Sequence, residues 1–151
     1  MIPFQEKKIL IVGDLLLDQY FVGQVNRISP EAPVPVIKLS ENKFALGGAG
    51  NVAHNITSLG GKAGLISLIG NDEHGATCKD LLNKYNISNH LIESHYKTIV
   101  KLRVIGGQQQ IVRLDIEDTI SLNQHLETTI IDTFKLVIED YDLHKDKTNK
   151  K

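Results

Sequence analysis

An α/β fold, with helices flanking a parallel-rich central sheet, is predicted by the order of apolar segments along the chain. Two short apolar runs, at residues 8–13 and 63–70, are typical of strands that are buried on both faces. Residues 52–59 and 72–85 instead carry apolar side chains at helical spacing, and Asn71 is the expected cap of the second helix. Strands that alternate with helices indicate βαβ units, and hence parallel strand pairs.

The composition limits the function classes that need to be considered. The chain has 151 residues, 41% of them hydrophobic, and its net charge of −1 gives no electrostatic case for nucleic acid or an anionic membrane. The single cysteine, Cys78, rules out an internal disulfide, and six histidines show no metal-ligand spacing, so no metal site is expected. The apolar run at residues 9–12 is too short for a signal core or a membrane span, which favours a cytoplasmic location.

A small β flap is predicted at residues 20–39 and 98–114. Its first part has two strands on either side of a segment with three prolines in six residues, which is neither a helix nor a central strand. In its second part, Gly106 and Gly107 predict a hairpin. Lys101 and Arg103 alternate along one strand of this hairpin, so they project from the same face. They either bind an anion there or are ordinary solvated charges.

The glycine-rich stretch at residues 47–51 (GGAGN) is the first candidate for a binding site. Its small residues let the backbone approach a ligand closely, and Asn51 is expected to begin a helix. A dinucleotide site would match the G-x-G-x-x-A spacing, with Asp72 as a ribose ligand. However, that motif needs an apolar strand directly before the glycines, and residues 41–44 are polar.

A sugar or sugar-phosphate site is the alternative hypothesis. Asp14 and Asp18 follow the first predicted strand, and the carboxyl ends of strands are where open α/β sheets bind ligands. These carboxylates and Asn51 would bind hydroxyl groups, while Lys101, Arg103 and Arg113 would hold a phosphate. The sequence contains neither a nucleophile elbow nor a Walker loop.

A helix, a strand and a charged tail are predicted for the C-terminal part of the chain. A third helix, capped by Ser121, is predicted to lead into a strand at residues 135–139. After Asp140 the sequence becomes charged and loses its periodicity, so residues 141–151 are predicted to form a disordered tail.

Four segments together resemble one enzyme family. They are residues 13–20 (GDLLLDQY), 27–36 (RISPEAPVPV), 47–53 (GGAGNVA) and 101–104 (KLRV). The chain resembles the N-terminal half of the D-glycero-β-D-manno-heptose-7-phosphate kinases, which are ribokinase-like carbohydrate kinases. This resemblance implies phosphorylation of the anomeric hydroxyl of heptose 7-phosphate with ATP and Mg²⁺, a step towards ADP-heptose and lipopolysaccharide. It also implies that the flap is a lid and a homodimer contact. The implied substrate-binding residues are Asp14, Asp18, Gly47, Gly48, Asn51, Lys101, Arg103 and Asp140.

The chain also departs from the family pattern. Such kinases carry their catalytic aspartate in a Gly-Ala-Gly-Asp motif of the C-terminal half, and this sequence has no such motif. Asn51 ends a similar string, but its amide does not titrate and cannot act as a general base. We therefore expect residues 1–140 to be the sugar-binding part of a kinase domain that lacks its C-terminal half, and we expect no kinase activity from this chain alone. A non-catalytic sugar-phosphate-binding or dimerising module, or a degenerate remnant, is the alternative.

Overall fold

The computed structural model describes residue 5 and residues 7–119 and 123–142, which contain seven strands, three α-helices and one 3₁₀ helix. The elements are β1 (Lys8–Val12), β2 (Leu15–Ile28), β3 (Pro35–Gly48), α1 (Ala49–Ser58), β4 (Lys62–Gly70), α2 (Glu73–Lys84), β5 (Ile87–Ser94), β6 (Ile99–Gly106), β7 (Gln109–Ile116), α3 (Gln124–Val137) and the 3₁₀ helix Ile138–Asp140.

The strands form two sheets. The first sheet has the order β1-β4-β5, and all of its strands are parallel. The second has the order β3-β2-β6-β7, in which β2 and β6 are parallel and the two outer pairs are antiparallel. The predicted α/β fold with a parallel-rich sheet is confirmed. The flap is the second sheet, whose strands are longer than predicted because β2 and β3 extend back into the core.

Apolar side chains from both sheets share one core with α1 and α2. The largest fully buried side chains are Leu17, Leu65, Ile66, Leu82, Val100 and Cys78. Burial of each of these Leu, Ile and Val side chains contributes about 1.5–3 kcal/mol. Burial also raises the pKa of the Cys78 thiol to about 12. Cys78 is therefore a packed, protonated side chain at neutral pH and not a nucleophile.

Asp72 joins the two sheets through hydrogen bonds. Its carboxylate accepts from the backbone N–H of Gly75 (2.7 Å), which caps α2, and from the backbone N–H of Thr98 (2.9 Å) just before β6. The Thr98 hydroxyl also donates to Asp72 (2.7 Å) and accepts from the N–H of Gly70 (3.1 Å) at the end of β4. The predicted cap, Asn71, is therefore off by one residue.

Two strand predictions failed because polar strands lack the apolar pattern of buried ones. Residues 41–44 lie inside β3, where they pair with residues 19–22 of β2. Since β3 is an edge strand, it tolerates polar residues. β5 was not predicted either; it is an edge strand in which Ser88, Asn89 and Glu93 are exposed.

The predicted strand at residues 135–139 is wrong, because α3 and the 3₁₀ helix occupy this segment. Three apolar residues recur at helical spacing, namely Leu126, Ile130 and Val137, and the first and last of them are buried. This apolar face stabilises a helix here although the segment contains β-branched residues. Asn123 caps α3 by accepting from the N–H of Leu126 (2.9 Å), whereas Ser121 lies outside the described residues. In the part of the chain that the structure describes, no helix is both long and apolar enough to cross a membrane.

Candidate functional site

The pairing of β2 with β6 collects polar side chains on one face of the second sheet. Asp18 lies opposite Lys101 and Tyr20 lies opposite Arg103, so all four project from the same face. Strand β7 adds two more residues, since it pairs Asp115 with Lys101 and Arg113 with Arg103. We call this surface the polar face; it comprises Asp18, Tyr20, Lys101, Arg103, Arg113 and Asp115.

Asp18 and Arg103 form an ion pair at the centre of the polar face. The Arg103 Nη1 donates to Asp18 Oδ1 over 2.5 Å, and the side chains are 24% and 18% exposed for Arg103 and Asp18 respectively. The guanidinium carbon lies 5.4 Å from the centre of the Tyr20 ring, and Nη1 also donates to the Lys101 carbonyl. The bond to Asp18 raises the pKa of Arg103 above its ordinary value. The cation is thus held in one orientation, as a preformed anion site requires.

Lys101 is held by two carboxylates. Its Nζ donates to Asp115 Oδ2 (3.1 Å) and to Glu117 Oε2 (3.2 Å). These bonds raise the pKa of Lys101, and the bond from Lys101 is the main cause of the lowered pKa of Asp115. Both groups are therefore charged at neutral pH.

Gly47 lies beneath Asp18, on the adjacent strand β3. A Cβ at this position would lie 2.6 Å from Asp18 Oδ2 and 2.1 Å from a methyl carbon of Leu16. A side chain there would displace the carboxylate. The glycine therefore makes room for Asp18 in its paired position, a role that the sequence alone could not separate from close approach of a ligand.

Gly48 forms the turn from β3 into α1. It has a φ of 55°, in the left-handed region that favours glycine, and a Cβ would lie 2.3 Å from the Asp14 carbonyl oxygen. That carbonyl accepts from the first N–H of α1, at Ala49 (2.9 Å). The helix begins at Ala49 and not at Asn51 as predicted, so Asn51 is an exposed residue of its first turn.

The remaining two predicted residues do not lie on the polar face. Asp14 follows β1 and lines a cavity of about 310 Å³ between the first sheet and Ile130 of α3. Asp140 ends the 3₁₀ helix, where Asp142 donates its N–H to the carbonyl of Lys8 (2.9 Å), the first residue of β1. Asp140 is thus near the opposite end of β1 from Asp14, and the structure brings the two predicted carboxylates to different places.

Three residues of the site were missed among the sequence-based candidates. Tyr20 and Asp115 are on the polar face, beside the predicted phosphate ligand Arg113, and Glu117 contacts this face through Lys101. The predicted hairpin already contained a signal for Asp115, because alternating charges on both strands place it on the face of Lys101 and Arg103. The missing information was the register of the two strands.

The structure argues against a dinucleotide site. β3 does run directly into the glycines, but the proposed ribose ligand, Asp72, already accepts three hydrogen bonds from Gly75 and Thr98. These bonds outweigh its burial, which alone would raise the pKa, and leave the pKa of Asp72 lowered. Within the described ranges, no three His, Cys, Asp or Glu side chains come together as metal ligands.

Comparison with known sequences identifies a family. The model of the pfkB family carbohydrate kinases matches residues 6–135. The bifunctional protein HldE of Actinobacillus pleuropneumoniae serotype 5b is 44% identical over 146 residues, which cover 91% of this chain and 30% of that protein. HldE of Hydrogenovibrio crunogenus is 41% identical over 147 residues, with 93% and 31% coverage. The chain thus spans less than a third of the length of these curated relatives.

Solved structures show the same fold. Phosphofructokinase-2 from Escherichia coli, in complex with fructose 6-phosphate, superposes with a TM-score of 0.65 at 25% identity, over 88% of this chain and 42% of that one. A possible 1-phosphofructokinase from Thermotoga maritima has a TM-score of 0.68 at 17% identity, over 89% and 42% of the two chains, and it bears on the fold alone. The ribokinase-like resemblance of the sequence motifs is confirmed. Sequence and fold agree, and the chain belongs to the pfkB family of carbohydrate kinases.

Proposed function

We propose that residues 1–140 form the sugar-phosphate-binding part of an ATP-dependent heptose 7-phosphate kinase. The observation that carries this proposal is the Asp18–Arg103 pair on the polar face, with Lys101 beside it. A carboxylate next to two cations suits a ligand that presents both hydroxyl groups and a phosphate. The similarity to HldE proteins supports a heptose substrate, and the structure of the E. coli relative contains a sugar monophosphate.

The residues have distinct roles in this proposal. Asp18 accepts hydrogen bonds from sugar hydroxyls through the oxygen that Arg103 leaves free. Arg103 and Lys101 bind the phosphate, and the fork of Arg103 can contact two phosphate oxygens. Gly47 and Gly48 let the sugar approach the backbone, and Asn51 of α1 supplies an amide for a further hydroxyl. Asp14 and Asp140 lie away from the polar face, so we propose for them at most contacts to a distant part of the substrate.

ATP and Mg²⁺ are proposed from family membership alone. The described residues provide no group of side chains that fits a protein-bound metal. A homodimer through the flap is proposed because Val112, Leu114 and Ile116 form an exposed apolar row on β7, on the face opposite the polar face. The proposed setting is the cytoplasm, where ADP-heptose synthesis would take place.

Replacement of Lys101 or Arg103 is expected to remove the phosphate contribution to binding. Charge-assisted hydrogen bonds contribute about 1.5–3 kcal/mol each, so Lys101→Ala or Arg103→Gln should weaken heptose 7-phosphate binding about 10- to 100-fold in isothermal titration calorimetry. Binding of unphosphorylated heptose should change less than threefold. Lys79→Ala, which breaks a surface pair with Glu93 on α2 and β5, is the matched control and should bind as the wild type does. Equal losses for both sugars would contradict the proposed roles.

A non-catalytic binding module is the second candidate function, and a kinase assay separates the two. The sequence has no Gly-Ala-Gly-Asp motif, so the purified 151-residue chain with ATP, Mg²⁺ and heptose 7-phosphate should give no more bisphosphate than a reaction without protein. Bisphosphate formation that Asp18→Ala abolishes would show instead that this chain is itself a kinase. Saturable binding without turnover fits both a module and the sugar-binding part of a kinase, and an added polypeptide that restores turnover would favour the latter.

A further inference from the structure

Arg103 and Arg113 lie directly opposite each other on β6 and β7. Their side chains share the polar face, because residues paired across antiparallel strands project from the same side. Like charges at such positions destabilise a sheet. Lys101, two residues from Arg103, adds a third cation to the same face. Three cations on one face would therefore destabilise the sheet unless opposite charges offset them.

Each of these cations is matched by a carboxylate. Arg103 is paired with Asp18. Arg113 donates to both oxygens of Asp115, from Nε over 2.9 Å and from Nη2 over 3.1 Å, and Asp115 also accepts from Lys101. Glu117 is the second partner of Lys101. The three cations thus face three carboxylates, and the cluster is formally neutral.

Asp115 of β7 and Glu117, which follows this strand, have no role in the proposed sugar binding. Asp18 is needed for hydroxyl groups, whereas the carboxylates of Asp115 and Glu117 accept hydrogen bonds from Lys101 and Arg113 among the described residues. Three unpaired cations on one face would attract anions in proportion to the anion's charge. In a kinase the strongest competitor for such a face is the polyphosphate of the nucleotide. A fixed carboxylate opposes that competitor more than it opposes a single phosphate group, since repulsion also scales with charge.

We propose that Asp115, together with Glu117, is a specificity-determining residue that lets the polar face bind one phosphate group and excludes di- and triphosphates. The identity of the favoured ligand rests on the proposed function. The exclusion itself concerns only the charges on the face, so it can be tested with anions that contain no sugar.

Inorganic phosphate and diphosphate are the probes, titrated by calorimetry at low ionic strength into the wild type and into Asp115→Asn/Glu117→Gln. The double variant is expected to bind diphosphate about tenfold more tightly, or about 1.4 kcal/mol, and phosphate about threefold more tightly. Addition of Lys101→Gln to the double variant should abolish the gain. The gain should also disappear at high salt, because Asp115 and Glu117 are exposed and Lys101 beside them is only half-buried.

Glu93→Gln is the matched control, because it frees Lys79 from a similarly exposed pair on another surface. Diphosphate affinity of the double variant within twofold of the wild type, or an equal gain in Glu93→Gln, would overturn the proposal. The single variants Asp115→Asn and Glu117→Gln give the same comparison if the double variant melts early. Failure of the wild type to bind heptose 7-phosphate would contradict the proposed function without affecting this result, since neither probe contains a sugar.

Discussion

Asp18→Ala is expected to weaken heptose 7-phosphate binding at least about 100-fold, the largest loss at any single position of the polar face. Two hydroxyl contacts to a carboxylate are together worth about 3 kcal/mol or more, which corresponds to this factor. Arg103 would remain and lose its partner, so the variant should still bind inorganic phosphate. The expected signature in calorimetry is therefore a protein that no longer distinguishes the sugar phosphate from phosphate itself.

Gly47→Ala tests the same role without removing the carboxylate. The new Cβ would displace Asp18 and Leu16, so the preference for the sugar phosphate should fall about tenfold while the chain stays folded. Asp132→Ala removes an exposed carboxylate on α3 and is the control for the change in net charge that Asp18→Ala causes. A full preference for the sugar phosphate in Asp18→Ala would remove the main argument for a sugar site here.

Asp72→Ala is expected to lower the free energy of unfolding by about 2–4 kcal/mol. The substitution removes the cap of α2, worth about 0.5–2 kcal/mol, and leaves two donors of Thr98 without their acceptor. Thr98 is only 3% exposed, so water does not readily replace the carboxylate. Urea denaturation at pH 7 measures the loss, and Asp80→Ala, an exposed position on the same helix, should cost less than about 0.5 kcal/mol.

The same residue should contribute to acid sensitivity. Hydrogen bonds from Thr98 and Gly75 outweigh burial and lower the pKa of Asp72 in the folded chain below its ordinary value of 3.8. The stabilisation by the ionised group is therefore complete above about pH 4 and is lost as the pH falls through the folded pKa. Asp72→Asn, which cannot titrate, should flatten this part of the stability curve between pH 5 and pH 2. An unchanged slope would assign the acid sensitivity to other groups.

Local patterns in the sequence were sufficient to locate the two short apolar strands, although only β4 is central and buried as predicted, whereas β1 is an edge strand without a fully buried residue. β1 and β4 follow from their apolar runs, and the β6–β7 hairpin follows from Gly106 and Gly107. The same patterns failed where the position of a segment in the fold determines its secondary structure. β5 and part of β3 are edge strands with polar residues, and residues 135–137 join a helix whose buried side includes Leu126 and Val137.

The site could be predicted only in part, for a related reason. Family motifs pointed to Asp18, Lys101 and Arg103, but nothing local states that residues 18 and 103 form an ion pair. That contact depends on the register of β2 against β6, two strands that are far apart in the chain. Asp115 was overlooked because its role appears only once that register and the hairpin register are combined.

The two register shifts in β2 have a mechanical consequence. They lie between Val22 and Gly23 and between Val25 and Arg27, beyond the part of the strand that carries Asp18. Because a bulge disrupts and bends the ladder locally, we expect bending of the β2–β3 arm to occur beyond Gly23, the last residue that β2 pairs with β6. Asp18 lies before both shifts, between the buried Leu17 and Gln19, in the part of β2 that pairs with both β3 and β6. Bending of this arm is therefore expected to leave the Asp18–Arg103 pair in place.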